Sequence, residues 1–464
     1  MFKKVLVANR GEIACRILRT CERLGIQTVA VFSDIDVTGL HVAQADEAVR
    51  LGPAPAKESY LSVGALIGAI EYTGADAVHP GYGLLSENAE FARAVVSAGA
   101  VFIGPPPAAL EAFGDKIQAR KLARSVGVEP PPGSDGPLDP ADKEALHAEA
   151  RRIGYPLLVK AAGGGGGIGM QRVLDESLLE QMVSSCADRG KAAFADPRVY
   201  LERYIERPRH IEIQVFCDAF GNAVALGERE CSVQRRHQKV IEESPSPAEF
   251  FSGPEGEKRR QDLFAAALRV VHAAGYVGAG TVEFVADASG HFHFLEVNAR
   301  LQVEHPVTEM VTGLDLVEWQ LKVASGERLA ADVLNVARSG ASIEARVYAE
   351  DPERGFLPQP GKLVKVVWPH GPGIRVESGV QTGSEVSVHY DPLLAKIVAY
   401  APTRSEAIQK LDGALAHTEL ELLGPKGPRK TNLAFLRTIL ASAAFQSGAY
   451  STDLIANLQN PPPS

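Results

Sequence analysis

The chain has 464 residues, with 48 basic against 57 acidic side chains and a formal net charge of -9. That balance argues against a nucleic-acid-binding body, and the length points to about three domains rather than one. No apolar run approaches the roughly eighteen residues of a membrane span, and Met1-Phe2-Lys3-Lys4 leads straight into an apolar strand with no room for a signal peptide, so a cytoplasmic protein is expected.

The first hundred residues alternate short apolar runs (Val5–Ala8, Thr28–Phe32, Ala77–Val78, Val101–Ile103) with helical stretches such as Ile13–Leu24 and Leu61–Ala69. Such alternation predicts a parallel sheet with helices on both faces. The first turn, Asn9-Arg10-Gly11-Glu12, lacks GxGxxG, which speaks against a dinucleotide site. His79-Pro80-Gly81-Tyr82-Gly83 is a tight turn at a strand end, where such sheets carry function about as often as a plain turn. Proline runs at 105–107 and 130–132 bracket a helix, Lys116–Val126. The five cysteines show neither CxxC nor zinc spacing and are expected to be reduced core thiols.

Leu157–Ala162 predicts a buried strand carrying Lys160, followed by the glycine run Gly163–Gly167. Five ordered glycines are costly in backbone entropy. Bare N–H groups beside a lysine suit phosphate oxygens, although no Walker Gly-Lys-Ser/Thr follows and a surface hairpin is the plainer alternative. Arg209–Val215 predicts a strand with His210, Glu212 and Gln214 on one face, and the charged stretch Glu228–Lys239 taken alone suggests a solvated face.

Thr281–Val285, a turn at Asp287–Gly290 and Phe292–Arg300 predict a hairpin that sets Glu283 beside Glu296. Two neighbouring carboxylates with the amide oxygen of Asn298 form a hard oxygen set suited to Mg²⁺ or Mn²⁺. If the chain stays extended to Glu304, then Glu296, Asn298, Arg300, Gln302 and Glu304 share one face while Val297, Leu301 and Val303 anchor the other. Ile343–Val347 repeats the pattern with Arg346 on its polar side.

The lysine strand, glycine loop and metal hairpin resemble the ATP-grasp arrangement. Nearly the whole chain resembles biotin carboxylase, through Leu6–Ala14, His79–Gly83, Ser86-Glu87-Asn88, Gly114-Asp115-Lys116, Gly163–Met170, Arg209–Val215, Gln234–Val240, Glu296–Thr308, Ile343–Arg346 and His389–Pro392. The detail looks most similar to the methylcrotonyl-CoA type of acyl-CoA carboxylase. The resemblance implies a mixed α/β ATP-grasp fold: an N-terminal Rossmann-like domain (1–112), an ATP-grasp domain (113–318) with a mobile glycine-rich lid (130–204), a biotin carboxylase C-terminal domain (342–450) and a tail (451–464).

By the same resemblance, Lys116, Lys160, the Gly166 and Gly167 backbone and His237 would hold ATP phosphates, and Glu202, Ile205 and His210 would surround the nucleoside. Glu283, Glu296 and Asn298 would bind two Mg²⁺ or Mn²⁺ ions. Lys239, Arg300, Gln302 and the Val303 backbone would bind bicarbonate. Glu304 would be the base that yields carboxyphosphate, and Arg346 would stabilise charge on the biotin ureido oxygen. Ile168 stands where Arg or Lys is usual in the family, which should weaken phosphate contact, and Ala299 replaces Thr or Pro with little effect. No methionine adjoins a lysine, so the chain is expected not to carry its own biotin: biotin sits on a separate carboxyl carrier protein, or the chain is a piece of a longer polypeptide, with a carboxyltransferase subunit and a homodimer or larger complex as further partners. Another ATP-grasp ligase, or a non-catalytic subunit, is the alternative. No nucleic acid or membrane partner is expected.

Overall fold

The computed structural model of the chain describes residues 1–162, 170–194 and 196–459. Strands β1 (Lys4–Val7), β2 (Gln27–Ser33), β3 (Glu47–Gly52), β4 (Ala77–His79) and β5 (Val101–Phe102) form the expected parallel sheet, in the order β3-β2-β1-β4-β5. Central β1 is covered on both faces, so Val5, Leu6 and Val7 are all buried without alternation. Each contributes about 1.5–3 kcal/mol by leaving water. The strand order reverses between β1 and β4. There Asn9 Nδ2 donates to the carbonyls of Pro80 (2.7 Å) and Tyr82 (2.8 Å), tying the first loop to the His79–Gly83 turn. Gly81 sits at φ +64°, and a Cβ there would come within 2.9 Å of Asn9 Nδ2.

Asp115 ends one helix (Pro107–Gly114) and caps the next (Lys116–Ser125) by accepting from the Ile117 and Gln118 N–H groups, which sets Lys116 at a helix start. A smaller unit follows: β6 (Leu157–Ala161), β7 (Met170–Val173) and β8 (Val199–Arg203) form a three-stranded antiparallel sheet, β7-β6-β8, with a core that includes Leu157, Val159 and Leu201. The glycine run and Ile168 lie outside the described residues.

The body of the protein is an eight-stranded sheet. It runs β13 (Phe292–Asn298), β12 (Gly278–Ala286), β9 (Arg209–Cys217), β10 (Ala223–Arg235), β11 (Gln238–Ser244), β14 (Ala341–Tyr348), then Leu393–Ala401 and Ile374–Ser378. One antiparallel ladder, β11 against β14, joins the middle of the chain to its C-terminal part. The sheet is therefore continuous across the expected boundary between the second and third domains.

Two expectations need correction. The extended ridge stops at Asn298: residues 299–302 have no regular structure, a turn covers 303–304, and a helix (His305–Thr312) begins there. Leu301 is in the core as expected, but Val303 is only half-buried and faces a cavity. Glu228–Gln234 is no solvated face either. It lies in β10, near the middle of the big sheet, with Glu228, Arg229 and Glu230 buried. At the far end, Leu454–Gln459 forms a helix whose Leu454 and Ile455 join the C-terminal core. All five cysteines are buried.

Candidate active site

The hairpin β12–β13 places Glu283 directly opposite Glu296, and β9 places Glu212 opposite Glu283. Arg229 on β10 is paired in turn with Glu212. One row across four strands thus reads arginine, glutamate, glutamate, glutamate. Three carboxylates in a row need fixed cations. Arg229, fully buried, binds Glu212 through Nε, Gln214 Oε1 (2.6 Å) and Thr308 Oγ1 (2.9 Å) through Nη1, and Thr281 Oγ1 (3.0 Å) through Nη2.

Lys239, on β11, supplies the second cation. Its ammonium donates to Glu212 Oε2 (2.5 Å), Glu283 Oε1 (2.9 Å) and Glu304 Oε1 (2.6 Å). Glu283 also accepts from Asn298 Nδ2 (2.8 Å), and its Oε2 lies 2.9 Å from His210 Nε2. Burial opposes ionisation of Glu283, yet Lys239 and His210 hold its carboxyl well below the usual range.

The turn between β10 and β11 is two residues long, with Arg236 at φ +48° and His237 at φ +68°. Tight hairpins take both central residues left-handed, normally as Asn-Gly, and a bulky pair there stores strain of about 1–3 kcal/mol per residue. The turn carries His237 to the rim of a cavity of about 600 Å³. Lys116, Lys160, His210, Lys239, Glu283, Glu296, Asn298, Arg300, Gln302, Val303 and Arg346 also line it. Most of the expected site is therefore in one place. Glu202 and Ile205 do not line this cavity: Ile205 is half-buried between β8 and β9, and Glu202 is buried, binding Lys160 (2.6 Å) and Arg120. Gly166 and Gly167 lie outside the described residues.

Beyond β13 the backbone is irregular but pinned. Glu87 Oε1 accepts the Ala299 N–H (2.8 Å), and Glu87 Oε2 accepts Arg300 Nε (3.0 Å). Arg300 then spans Asn298 Oδ1 and Gln302 Oε1, both at 3.0 Å. Ala299 is buried in the core and also borders the cavity.

Glu304 is fully buried behind the cavity wall, with Lys239 on one oxygen and Arg346 Nη2 on the other at 2.9 Å. Burial works against its charge, but Lys239, Arg346 and Arg229 together hold its carboxyl well below the ordinary value, so it is ionised at neutral pH. Arg346 Nη2 also lies 2.5 Å from Glu242 Oε1. Burial pushes Glu242 up to about 7 against the pull of Arg346, with Glu304 adding to the rise. Arg346 is thus in direct contact with Glu304.

The donor set fits a divalent ion: Glu283 and Glu296 are paired across the hairpin, the Asn298 amide is adjacent, and all three line the cavity. Glu296 now meets Lys116 Nζ at 2.8 Å. Ligand atoms of His210, Glu212 and Glu283 also come within 4.8 Å of one another, but the Lys239 ammonium already bridges those two carboxylates and neutralises that inner group. A larger cavity, about 820 Å³, lies elsewhere, among Arg16, Arg23, Arg375, Glu309, Asp315 and Glu377. There the protein's own carboxylates already bind the arginines.

Sequence reasoning gave no role to Arg229, Glu87 or Glu242. Glu87 was within a quoted motif, whereas the partners of Arg229 and Glu242 emerge only once the strand order is known.

Residues 1–110 and 344–457 match the biotin carboxylase N-terminal and C-terminal domains, and residues 115–332 match the ATP-binding domain of the carbamoyl-phosphate synthase L chain. A biotin carboxylase of Halalkalibacterium halodurans is 47% identical over 98% of both chains. This chain belongs to the biotin carboxylase family. As a family member it is an ATP-dependent ligase of the ATP-grasp type. The alpha subunit of mitochondrial methylcrotonoyl-CoA carboxylase of Oryza sativa is also 47% identical, over 99% of this chain and 60% of that protein. Among solved structures, the biotin carboxylase–β,γ-ATP complex of Campylobacter jejuni superposes with a TM-score of 0.93 at 42% identity, covering 98% of this chain and 99% of that one. The biotin carboxylase domain dimer of Hydrogenobacter thermophilus 2-oxoglutarate carboxylase, with MgADP and bicarbonate, gives 0.92 at 41% identity, covering 99% and 98%.

Proposed function

We propose that this chain catalyses the ATP- and bicarbonate-dependent carboxylation of biotin borne on a carrier protein, the first half-reaction of an acyl-CoA carboxylase. The observation that carries it is Glu304, a buried ionised base between Lys239 and Arg346 and next to the Arg300–Gln302 pair. A ligase that only activates a carboxylate needs the nucleotide and metal groups, and this second apparatus would be superfluous. Lys239, Arg300 and Gln302 hold the bicarbonate anion, and Glu304 takes its proton. The resulting oxyanion attacks the γ-phosphorus, giving carboxyphosphate and ADP. Lys116, Lys160 and His237 hold the phosphate oxygens as charge shifts, since phosphoryl transfer is mostly positioning and neutralisation. Glu283, Glu296 and Asn298 would hold Mg²⁺ or Mn²⁺, which would neutralise phosphate charge. Arg346 stabilises the biotin ureido oxygen while the C–O(P) bond of carboxyphosphate breaks, the released phosphate takes the ureido N–H proton, and the ureido nitrogen bonds the carboxyl carbon.

The partners in this reading are a biotin carboxyl carrier, a carboxyltransferase subunit, and a second copy of the chain or a larger carboxylase complex. The support is kinship with carboxylase alpha chains and with a dimeric domain. No helix among the described residues is long and apolar enough to cross a membrane.

The deciding experiment measures ATP cleavage with and without bicarbonate, then with free biotin or biotinylated carrier. Cleavage should require bicarbonate and the divalent ion. The carrier should outperform free biotin through its raised effective concentration. Bicarbonate-independent cleavage would mark another ligase. Nucleotide binding without turnover would mark a non-catalytic subunit.

A further inference from the structure

The strand Leu393–Ala401 reads Leu-Leu-Ala-Lys-Ile-Val-Ala-Tyr-Ala, one charge among uncharged residues. Lys396 is 0% exposed. An ammonium so deep costs several kcal/mol unless it is matched. Its Nζ donates to the Val303 carbonyl at 2.7 Å and lies 3.1 Å from Glu12 Oε1. The same glutamate oxygen accepts the Tyr82 hydroxyl. Lys396 is also the direct cross-strand partner of Arg346. Three distant stretches meet at this ammonium: the start of the first helix, the His79–Gly83 turn, and the turn that carries Glu304.

The Val303 carbonyl and the Glu304 N–H belong to one rigid peptide plane. A donor fixed on that carbonyl therefore fixes the backbone from which the Glu304 side chain projects. The preceding plane is fixed too, because His305 Nδ1 donates to the Gln302 carbonyl at 2.7 Å. Burial, with Lys396, Arg16 and Arg375 nearby, keeps that imidazole neutral. Glu304 thus projects from a turn held from behind on two successive carbonyls.

We propose that Lys396 is a positioning residue for the bicarbonate step. It is absent from the lining of the catalytic cavity, and it holds the Val303–Glu304 peptide so that the carboxylate meets Lys239 and Arg346. This rests on the reading of the cavity as a bicarbonate site. Small displacements of reacting groups are costly, on the order of 10²-fold for about 1 Å.

The test is Lys396→Met, which keeps the length and apolar stem but removes the donor and charge. The KM for bicarbonate should rise at least about tenfold and kcat should fall, while the KM for ATP and the affinity for MgADP stay unchanged. An unchanged bicarbonate KM overturns the proposal. So does a parallel rise in both KM values, which is what a merely structural lysine would give. Glu12→Gln decides the matter if the Met variant does not fold: it keeps an acceptor for Tyr82 but removes the counter-charge. A smaller rise in bicarbonate KM alone is expected there, and no rise overturns the proposal. The wild-type chain in the same assay separates the two levels. Absence of bicarbonate-dependent cleavage there removes the function, whereas its presence beside an unaffected Lys396→Met removes only the role of Lys396.

Discussion

Replacing Glu304 with glutamine should lower bicarbonate-dependent turnover by at least about 10²-fold, with ATP affinity little changed. The amide keeps the shape and one acceptor oxygen for Lys239 or Arg346, but it cannot take a proton from bicarbonate. Nucleotide binding should survive because the Glu304 oxygens bond Lys239 and Arg346 and not Lys116, Lys160 or His237, the groups proposed to hold ATP. The measurement is steady-state ATP cleavage at saturating bicarbonate beside nucleotide titration. Near-normal turnover would remove Glu304 as the base. Joint loss of turnover and ATP affinity would make it part of the scaffold.

Arg346→Ala should cut carboxybiotin formation by about 10²-fold or more, the usual effect of losing a fixed group at a developing oxyanion. Bicarbonate-dependent ATP cleavage should fall by much less. It should not be untouched, because Arg346 Nη2 sits 2.9 Å from Glu304 Oε2. The sign follows from the charges: Lys239, Arg346 and Arg229 all lower the Glu304 pKa, so removing one of them raises it. A base with a raised pKa stays protonated to higher pH, and the acidic limb of the ATP-cleavage profile should move to higher pH. Equal loss of both activities with an unmoved acidic limb would show that Arg346 serves neither the ureido oxygen nor the base.

The hairpin and its facing carboxylates were readable from sequence, because Thr281–Phe284 and Leu295–Asn298 alternate with period two around a turn closed by Asp287, which accepts from the Ser289 and His291 N–H groups; the register shift at Leu295, which changes the phase after Phe292 and Phe294, was not. The continuation to Glu304 was misread for an instructive reason. Polar and apolar residues go on alternating through 299–303 while the backbone leaves the strand, so periodicity alone carries the strand too far. Pro306, in the first turn of the next helix, was the available signal that the chain changes course. The stretch Glu228–Gln234 misled differently. A run of charges is solvated in most folds, and only the strand order shows that β10 lies well inside an eight-stranded sheet where those charges must find one another. Arg346 was correctly put on a polar strand face, but its contact with Glu304 depends on β11 and β14 being neighbours, which no local pattern announces.

That neighbourhood also bears on how the protein is made. On the ribosome, β11 emerges long before β14, with the helix Gly253–Ala273 and the β12–β13 hairpin synthesised between them. Until β14 arrives, β11 is a seven-residue open edge of a sheet with five of its eight strands made, and such edges readily recruit foreign strands. It is not bare of protection: Gln238, Lys239, Glu242 and Glu243 give it a polar, charged rim that an apolar strand from another chain would desolvate at a cost. Lys239, proposed above to hold bicarbonate, thus also belongs to the charged rim that guards the nascent sheet against the wrong neighbour.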